Sequence, residues 1–527
     1  LFKLGAKMHG EGPVIFAWEK KGNFMATVGS NRRVHIVDRQ GKLINQFPLA
    51  GLGAVIAMDW DKDGDVLGII QKGTGCVTLY NLHSKKCEKL ETRLKDLSFL
   101  GWSRVGPQLA IGTTKGNLLI YNRKTFKQIP VIGKHTKKIT CGAWNHENKL
   151  VLGSSDKNIT ISDDTGYTLR QASVNYDPSQ ITFNEMKQDK HSKSGEKTIS
   201  LNLDGKSLLL YSMVHNDTTP IELTFQSKYG RILCYRWFGD GYILVGFSSG
   251  YVVIISTYMK EIGQEINSYK YHSQALHHVV YSPTLMKGAS IGDSCVKVFD
   301  MSDLTSFGEE GCVTFELEDE FGSLERLHWT KDGQILTASS VTGTIYAFLT
   351  KIPVLHDFNY TNILYLTSLR EMCVKEAVHN EVQTKVSVEI EPDFISLGSN
   401  HIAVGMNNKV WFYRYEGENY EEVASKEYLS TVDSILLSDF HAAVFCDSKI
   451  TLHLIEIDDT QEMQEEHTFP EKHHDRDATD MIMTENFLIY CTARGTLHYF
   501  SLEDWEFVNE YRHEVGIKNI YANTSGT

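Results

Sequence analysis

The sequence predicts an all-β fold of two tandem β-propellers, the first complete and the second truncated by the end of the chain. Three observations predict it. Trp18, Trp60, Trp102 and Trp144 follow one another at steps of 42 residues, each ends a short apolar segment, and two more apolar segments separated by polar turns follow each of them. Of the 527 residues, 41% are hydrophobic and 11% aromatic, which suffices for a large packed core.

Each interval contains the segments of a four-stranded sheet. The segments that end at tryptophan are VIFAW, VIAMDW, LSFLGW and ITCGAW, and those that close the unit are VHIVD, CVTLY, NLLIY and NITIS. They are too short for helices, are rich in Val, Ile, Leu, Tyr and Thr, and are bounded by Gly, Asn and Asp, which indicates strands. A fourth strand, such as KLINQF, precedes the next tryptophan. Four strands in this period are typical of a WD40 blade of about 40–45 residues.

The same anchor position continues beyond the fourth unit, with Phe183, Trp237, Tyr281 and Trp329. The step before Trp237 is longer because residues 184–197, a polar Lys-rich segment, are inserted, and we interpret them as a mobile loop between two strands. A blade is apolar on both faces, so blades are stable only when they cover one another around a ring. The eight anchors predict a first propeller over residues 1–350 with seven blades plus one unit at the junction, and the sequence does not exclude eight blades.

Residues 351–527 predict a second, incomplete WD40-like propeller of about four blades. Residues 351–372 break the register, and we interpret them as the crossover between the rings. The anchor returns loosely near Ser396, Leu436, Met483 and Tyr521. The last residues, NIYANTSGT, indicate a first strand entering its turn, and because natural proteins avoid bare strand edges we expect the native chain to continue past Thr527.

Composition excludes several classes of protein. The net charge is -13, which argues against nucleic acid and anionic lipid as main partners. The nine cysteines are scattered, form no C-x-x-C pair and partly lie in apolar runs, which indicates reduced thiols in a cytosolic compartment. No apolar run reaches the ~20 residues of a membrane span, and the first residues make no secretory signal.

Longer segments resemble a known family. They are AMDWDKDGDVL (57–67), GNLLIYN (116–122), IPVIGKHTKKITCGAW (129–144) and HIAVGMNNKVWFY (401–413). They are similar to the WD-repeat core subunits of intraflagellar transport complex A, and the resemblance covers nearly the whole chain. It implies two tandem propellers followed by a helical-repeat arm, which is absent here. It further implies a scaffold in retrograde ciliary transport and in ciliary entry of membrane receptors, found at the cilium, at the ciliary base and in the cytoplasm.

Two units carry a His–Asp pair at repeat spacing. His135 precedes Asp156, and His272 precedes Asp293, by 21 residues, and an aspartate follows seven residues later in each unit, at Asp163 and Asp300. In WD repeats such a histidine lies before the first strand and the aspartate lies in the turn between the second and third strands. The alternative is a general acid/base pair. We favour a structural hydrogen bond, since the pair recurs without a nucleophile.

Other motifs are interpreted as turns. Gly246–Gly250 matches G-x-S-x-G, but its flanks indicate a hairpin rather than the strand-to-helix turn of a nucleophile elbow. Asp61–Asp65 lacks the glycine and glutamate positions of a calcium loop, and Gly133-Lys134 fails the phosphate-loop pattern. The acidic residues 415–427 are interpreted as a solvated turn, with a docking patch for a basic partner as the alternative.

His473, His474 and Asp475 have no second ligand pair at metal spacing, so a solvated loop is favoured there over a metal site. We therefore expect no enzyme, no cofactor and no metal. We expect a scaffold that binds other subunits of the complex and ciliary membrane cargo or its adaptors. A vesicle-coat or ubiquitin-ligase substrate adaptor on the same tandem propellers is the alternative, since fold does not fix function. An enzyme that uses the central channel is the third reading.

Overall fold

The computed structural model describes residues 1–184, 196–213, 219–258, 260–304, 307–308, 311–317, 324–379, 381–456, 466–471 and 477–521. The chain divides into two compact units, Leu1–Lys351 and Ile352–Thr527, called here the first and second units. The described residues form twelve four-stranded antiparallel sheets, eight in the first unit and four in the second. Among these residues no helix has the length and apolar character needed to cross a bilayer.

The first unit begins with strand β1 (Phe2–Leu4) and the short helix α1 (Ala6–His9). Its first four sheets are β2–β5 (Ile15–Trp18, Phe24–Val28, Arg33–Asp38, Leu43–Pro48), β6–β9 (Val55–Trp60, Val66–Gln71, Cys76–Asn81, Cys87–Glu91), β10–β13 (Leu97–Trp102, Gln108–Thr113, Leu118–Asn122, Gln128–Val131) and β14–β17 (Ile139–Trp144, Leu150–Ser154, Asn158–Ser162, Thr168–Ser173).

The next three sheets are β18–β21 (Pro178–Asn184, Thr198–Leu203, Ser207–Ser212, Ile221–Thr224), β22–β25 (Ile232–Phe238, Tyr242–Phe247, Tyr251–Ser256, Glu265–Lys270) and β26–β29 (Leu276–Ser282, Lys287–Gly292, Cys295–Asp300, Val313–Glu316). A 3₁₀ turn, Ser227–Tyr229, precedes β22. The eighth sheet contains β30–β32 (Leu324–Trp329, Ile335–Ser340, Ile345–Leu349) and, as its fourth strand, β1.

The four sheets of the second unit follow chain order without exception. They are β33–β36 (His356–Asn359, Asn362–Leu366, Glu371–Glu376, Val382–Ser387), β37–β40 (Phe394–Leu397, His401–Met406, Lys409–Glu416, Asn419–Glu427), β41–β44 (Ser434–Leu437, His441–Cys446, Lys449–Leu454, Glu466–Phe469) and β45–β48 (Ala478–Met483, Phe487–Thr492, Thr496–Ser501, Phe507–Arg512).

The first strand of each sheet is the innermost, because first strands of neighbouring sheets contact one another, as β2 does β6 and β6 does β10. In seven of the eight sheets of the first unit, a β-bulge in the described residues displaces the second residue of this strand, for example between Leu97 and Phe99. A bulge increases the local twist. Beyond it, alternate residues of the inner strand face the following sheet.

The start of the chain completes the eighth sheet. Phe2 pairs with Ala347 and Leu4 with Ile345, and the amino group of Leu1 donates to the Ala347 carbonyl at 2.8 Å. The Trp18 indole nitrogen donates to Thr337 Oγ1 at 3.0 Å, which joins the first sheet to the eighth. The eight sheets therefore form a ring. The structure thus has the alternative number of blades, eight, and the expectation of seven plus a junction unit is wrong, because Phe2–Leu4 supply the fourth strand of the last sheet.

Apolar clusters between adjacent sheets make the core. One holds Val66 and Val77 of the second sheet against Leu100 and Trp102 of the third. Trp60 is only 1% exposed. Burying an aromatic side chain of this size stabilises by about 1.5–3 kcal/mol. Comparable clusters join each sheet to the next from the first to the eighth, and the Trp18–Thr337 hydrogen bond joins the eighth to the first.

The structure corrects the crossover at 351–372. This segment is not only a connection, since it contains β33 and β34 and the start of β35. Its strands were missed because they lack a tryptophan and because Phe358, Tyr360 and Ile363 are exposed. Ser396, Leu436 and Met483 do lie on the inner strands β37, β41 and β45. Tyr521 lies in no strand, and residues 522–527 lie outside the described residues.

Residues 415–427 are not a simple turn. They form the end of β39, a two-residue turn and all of β40, so they are an exposed edge hairpin of the second unit. Val423 and Ala424 are half-buried and pack on the core cluster beneath, which the acidic composition concealed. The inserted segment 184–197 connects β18 to β19, and most of it lies outside the described residues.

Candidate functional site

The six tryptophans selected from the sequence all lie on innermost strands of the first unit. Trp18, Trp60, Trp102, Trp144 and Trp329 end β2, β6, β10, β14 and β30, and Trp237 is the penultimate residue of β22. Trp60 Nε1 donates to the Ala17 carbonyl and Trp144 Nε1 to the Gly101 carbonyl, each at 3.0 Å and each in the preceding sheet. The repeated tryptophan thus bonds one inner strand to the previous one.

The other tryptophans vary this contact. Trp237 Nε1 donates to Ser200 Oγ in the preceding sheet at 2.7 Å, and Trp329 Nε1 donates to Thr350 Oγ1 at 2.9 Å. The buried Nε1 of Trp102 has no hydrogen-bond partner among the described residues. Its indole lies against Gly68, where a Cβ atom would stand 3.2 Å from Nε1.

The structure brings His135 and Asp156 together. His135 Nδ1 lies 3.1 Å from Asp156 Oδ2, and Nε2 lies 3.0 Å from Thr160 Oγ1. Because a carboxylate only accepts, Nδ1 carries the proton and Nε2 accepts from the threonine hydroxyl. Both side chains are nearly inaccessible to solvent. The network ties the loop before β14 to the turn between β15 and β16.

The charges of this pair follow from burial and donors. Burial lowers the pKa of His135, and the attraction of Asp156 opposes this only in part, so the imidazole is neutral. Burial alone would raise the pKa of Asp156, but backbone amides of Thr136 and Asn158 and the nearby His135 together hold it below its ordinary value. The neutral His135 and the hydrogen-bonded carboxylate of Asp156 therefore stabilise the loop before β14.

His272 and Asp293 are less closely joined. His272 Nε2 contacts Ser290 Oγ at 2.9 Å, but Nδ1 lies 3.9 Å from Asp293 Oδ2, beyond hydrogen-bond distance. Asp293 instead accepts from the Ser273 amide and, at 2.9 Å, from the Gln274 amide. Burial lowers the pKa of His272 to about 4.

Asp163 and Asp300 do not join the histidines. Asp163 accepts from the amides of Thr165 and Tyr167, and Asp300 accepts from the amide of Ser302. These carboxylates close the turn after the third strand of their sheets. Their spacing therefore reflects a recurring turn at another place in the blade rather than a third member of the network.

Sequence reasoning missed a third histidine of this type. His9 is fully buried, with Nε2 at 3.0 Å from Thr27 Oγ1 and Nδ1 at 3.0 Å from the Gly343 carbonyl. The residue 21 positions later is Ser30 instead of aspartate, so the pair pattern is broken. The buried His–hydroxyl contact is the signal that all three share.

Gly246–Gly250 is the hairpin between β23 and β24, and Ser248 Oγ accepts from the Arg231 amide at 2.9 Å. Gly250 has a φ of +80°, and a Cβ atom there would overlap the His272 carbonyl of the next sheet. Gly116 has a φ of +81°, and a Cβ atom there would overlap the His135 carbonyl. The second glycine of the motif is thus required for packing beside the histidine loops.

The other charged motifs hold turns and sheet contacts. In the turn between β6 and β7, the carboxylates of Asp61, Asp63 and Asp65 lie within 4.8 Å of one another. Asp61 accepts from the Asp65 amide at 2.8 Å and pairs with Arg123. Lys134 is buried and donates to the Gly166 carbonyl at 3.0 Å, and burial lowers its pKa to about 8. His473, His474 and Asp475 lie outside the described residues.

Comparison with known families identifies both units. Residues 14–343 match the family model described as the WDR19 first beta-propeller, and residues 363–527 match the model described as the WDR19 second beta-propeller. Together these matches span most of the chain. The chain belongs to the WDR19 family.

Three longer relatives align with nearly the whole of this chain. The chain is 44% identical over 532 residues to mouse WD repeat-containing protein 19 and 44% identical over 531 residues to the human protein. It is 33% identical over 546 residues to WD repeat-containing protein dyf-2 of Caenorhabditis elegans. These alignments cover 99–100% of this chain but only 38–39% of each relative. The WDR19-family chain described here therefore spans about two fifths of the length of those relatives.

Solved structures share the fold at low identity. The computationally designed Ika8 protein superimposes with a TM-score of 0.51 at 15% identity, over 65% of this chain and 97% of its own. Sqt1 of Chaetomium thermophilum superimposes with a TM-score of 0.54 at 13% identity, over 65% and 97%. At such identities the likeness concerns the fold alone. This WDR19-family chain is thus a WD40-type β-propeller protein in both sequence and architecture.

Proposed function

We propose that this chain is the propeller part of a non-enzymatic scaffold subunit of intraflagellar transport complex A. In this role it acts in retrograde ciliary transport and in ciliary entry of membrane-protein cargo. Membership of the WDR19 family over both units is the observation that carries the proposal. The proposal extends to the whole protein, of which this chain spans about two fifths by comparison with its relatives.

The absence of enzymatic activity is supported by how the candidate catalytic groups are used. His135 is bonded to Asp156 and Thr160 at its two ring nitrogens. Ser248, the serine of the G-x-S-x-G motif, accepts a backbone amide in a hairpin. A catalytic site needs a nucleophile, a base and a place for substrate within reach of both. In the described part of the chain these groups lie on separate sheets and stabilise loops.

The partners we propose are the other subunits of complex A and ciliary membrane cargo or its adaptors. The locations are the cilium, its base and the cytoplasm. A ring whose core lies between sheets leaves its two rims and its outer strands free for partners, as is usual for propellers. Binding through such a surface needs no cofactor.

The test is affinity purification and imaging of the tagged full-length protein in ciliated cells that lack the endogenous copy. We expect co-purification of the other complex A subunits and a signal at the ciliary base and along the cilium. The designed Ika8 protein, tagged in the same way, is the matched control for contacts that the fold alone makes. Co-purification of vesicle-coat or ubiquitin-ligase subunits without ciliary partners would overturn the proposal in favour of the adaptor.

A further inference from the structure

We propose that the central channel of the first unit, the space enclosed by its eight inner strands, binds a small soluble phosphate-bearing anion through Arg236, Arg326 and Lys20. Arg236 and Arg326 lie on strands of the sixth and eighth sheets, and Lys20 lies in the turn between β2 and β3 of the first sheet. No sequence motif marks the site, because its members lie on separate strands. His278 and His328 lie on the same wall as neutral groups.

The inner strands place these side chains at the wall of the channel, between neighbouring sheets. Arg236 lies on β22, His278 on β26, and Arg326 and His328 on β30. His278 and Arg326 are the first paired residues after the β-bulges of β26 and β30. Arg236 and His328 lie two residues beyond the first paired residue after the bulges of β22 and β30. Residues two apart in a strand share a face. That face points at the next sheet, since Arg236 Nη2 lies 3.4 Å from His278 Nε2.

The groups are close enough to act on one another. Burial, together with the charges of Arg236 and Arg326 and the nearby His328, lowers the pKa of His278 to about 3. Desolvation by the surrounding atoms likewise lowers the pKa of His328 to about 4, with contributions from Arg236 and Lys20, although His328 is exposed. Both imidazoles are therefore neutral at physiological pH. The fixed positive charges of the wall are the two guanidinium groups and the ammonium group.

Negative charge at this wall is scarce. Lys20 Nζ lies 3.5 Å from Asp59 Oδ1. Among the described residues neither Arg236 nor Arg326 forms an ion pair, and Arg236 has only a neutral imidazole as its hydrogen-bond partner. Arg236 is half-buried, and a half-buried guanidinium group without an anion is costly in free energy. In a chain of net charge -13, this local excess of positive charge is a specific feature rather than a general one.

The chemistry favours phosphate. A guanidinium group binds phosphate through two parallel hydrogen bonds, and an ammonium group adds a point charge. Three cations converging from three sheets match a ligand with several negative charges, as in pyrophosphate or an inositol polyphosphate. A duplex or a bilayer surface cannot enter a ring of inner strands, so the ligand is small.

Isothermal titration calorimetry of the 1–527 chain with pyrophosphate and with inositol hexakisphosphate, at low ionic strength, tests the proposal. We expect saturable binding of one equivalent of inositol hexakisphosphate and weaker binding of pyrophosphate. Arg236→Gln and Arg326→Gln should each weaken binding about tenfold, because each removes a hydrogen-bonded charge pair. Arg231→Gln, which removes the same charge from an exposed pair with Asp204 at 3.0 Å, is the matched control and should bind as the native chain does.

Thermal unfolding of each variant shows whether it is folded, and Arg326 is exposed enough to be replaced without loss of the fold. Absence of saturable binding to the native chain would overturn the proposal. Equal weakening in Arg231→Gln, or none in the two channel variants, would also overturn it. A flotation assay with vesicles that contain phosphatidylinositol bisphosphate covers the other source of phosphate. Binding to vesicles without binding of either soluble probe would contradict a site inside the channel.

Discussion

The carboxylate of Asp59 accepts a hydrogen bond from the backbone amide of Trp102 at 2.8 Å, across the boundary between the second and third sheets. The same contact recurs in the second unit. Asp357 accepts from the Leu397 amide at 2.8 Å, and Asp480 accepts from the Ile520 amide at 2.9 Å. In the Asp59 and Asp357 pairs an aspartate on one inner strand therefore fixes the position of the next inner strand, whereas Ile520 lies in no strand.

Removing this acceptor should destabilise the first unit. Burial raises the pKa of Asp59, and Lys20 opposes the rise. Asp59→Asn keeps an acceptor without the buried charge, and we expect it within about 1 kcal/mol of the native free energy of unfolding. Asp59→Leu leaves the Trp102 amide unpaired and should cost about 1–3 kcal/mol. Urea denaturation followed by tryptophan fluorescence measures both.

Asp63→Leu is the control for the Asp59 variants, because that side chain lies in the adjacent turn and is exposed. It should change the unfolding midpoint little. Equal losses in Asp59→Leu and Asp63→Leu would show that the inter-sheet hydrogen bond contributes nothing.

Trp60→Phe should cost more than Trp102→Phe, although both indoles are buried at the same position of the blade. Phenylalanine cannot donate, so the Trp60 variant loses the bond to the Ala17 carbonyl, which is 3.0 Å long. Trp102 Nε1 has no such bond among the described residues. We expect a difference of about 1 kcal/mol in unfolding free energy. Trp144→Phe should behave as Trp60→Phe does, and a larger loss in the Trp102 variant would refute this account of the anchors.

The two His–Asp pairs should differ in coupling energy. In a double-mutant cycle of His135→Ala and Asp156→Ala, we expect a coupling of about 1 kcal/mol or more, because the two side chains are hydrogen bonded. The cycle of His272→Ala and Asp293→Ala should give a coupling near zero, since 3.9 Å separates the groups. Chemical denaturation of the native chain and the six variants measures both values. Similar couplings would contradict the claim that only His135 and Asp156 are hydrogen bonded.

Acid should destabilise the second unit through His453. Its Nε2 contacts the Tyr428 hydroxyl and its Nδ1 the Leu454 carbonyl, each at 2.6 Å, and burial lowers its pKa to about 4. A histidine with a lowered pKa in the folded state stabilises the fold above its ordinary pKa of about 6.5. That contribution is lost as the pH falls from about 6.5 towards 4.

His453→Gln should therefore be less stable than the native chain at neutral pH and should lose less stability on acidification. Thermal midpoints across this pH window measure the difference. His83→Gln, which changes an exposed histidine, should follow the native pH dependence. An identical acid loss in native chain and His453→Gln would count against the neutral buried imidazole.

Local patterns predicted the inner strands well. The even spacing of Trp18, Trp60, Trp102 and Trp144 located four of them, because a tryptophan that must reach the preceding sheet recurs once per blade. The choice between seven and eight blades could not be made locally. It depends on the pairing of Phe2 with Ala347, at opposite ends of the unit, and no local pattern encodes such a contact.

The candidate site was predicted only in part, for a similar reason. His135 and Asp156 were found because their spacing repeats, whereas His9 was missed because Ser30 replaces the aspartate. Arg236 and Arg326 gave no signal at all. They belong to different sheets, and only the ring brings them to one wall.

The ring of eight sheets is the claim on which these predictions rest, and a disulfide across its closure tests it most directly. Lys3 pairs with Tyr346, and opposite residues of antiparallel strands have Cα atoms about 4.5–5.5 Å apart, within the range of a disulfide. In the double variant Lys3→Cys with Tyr346→Cys, mild oxidation followed by peptide mass mapping should find these two positions linked in nearly all molecules. Free thiols at both positions in the folded protein would show that the first strand does not complete the eighth sheet.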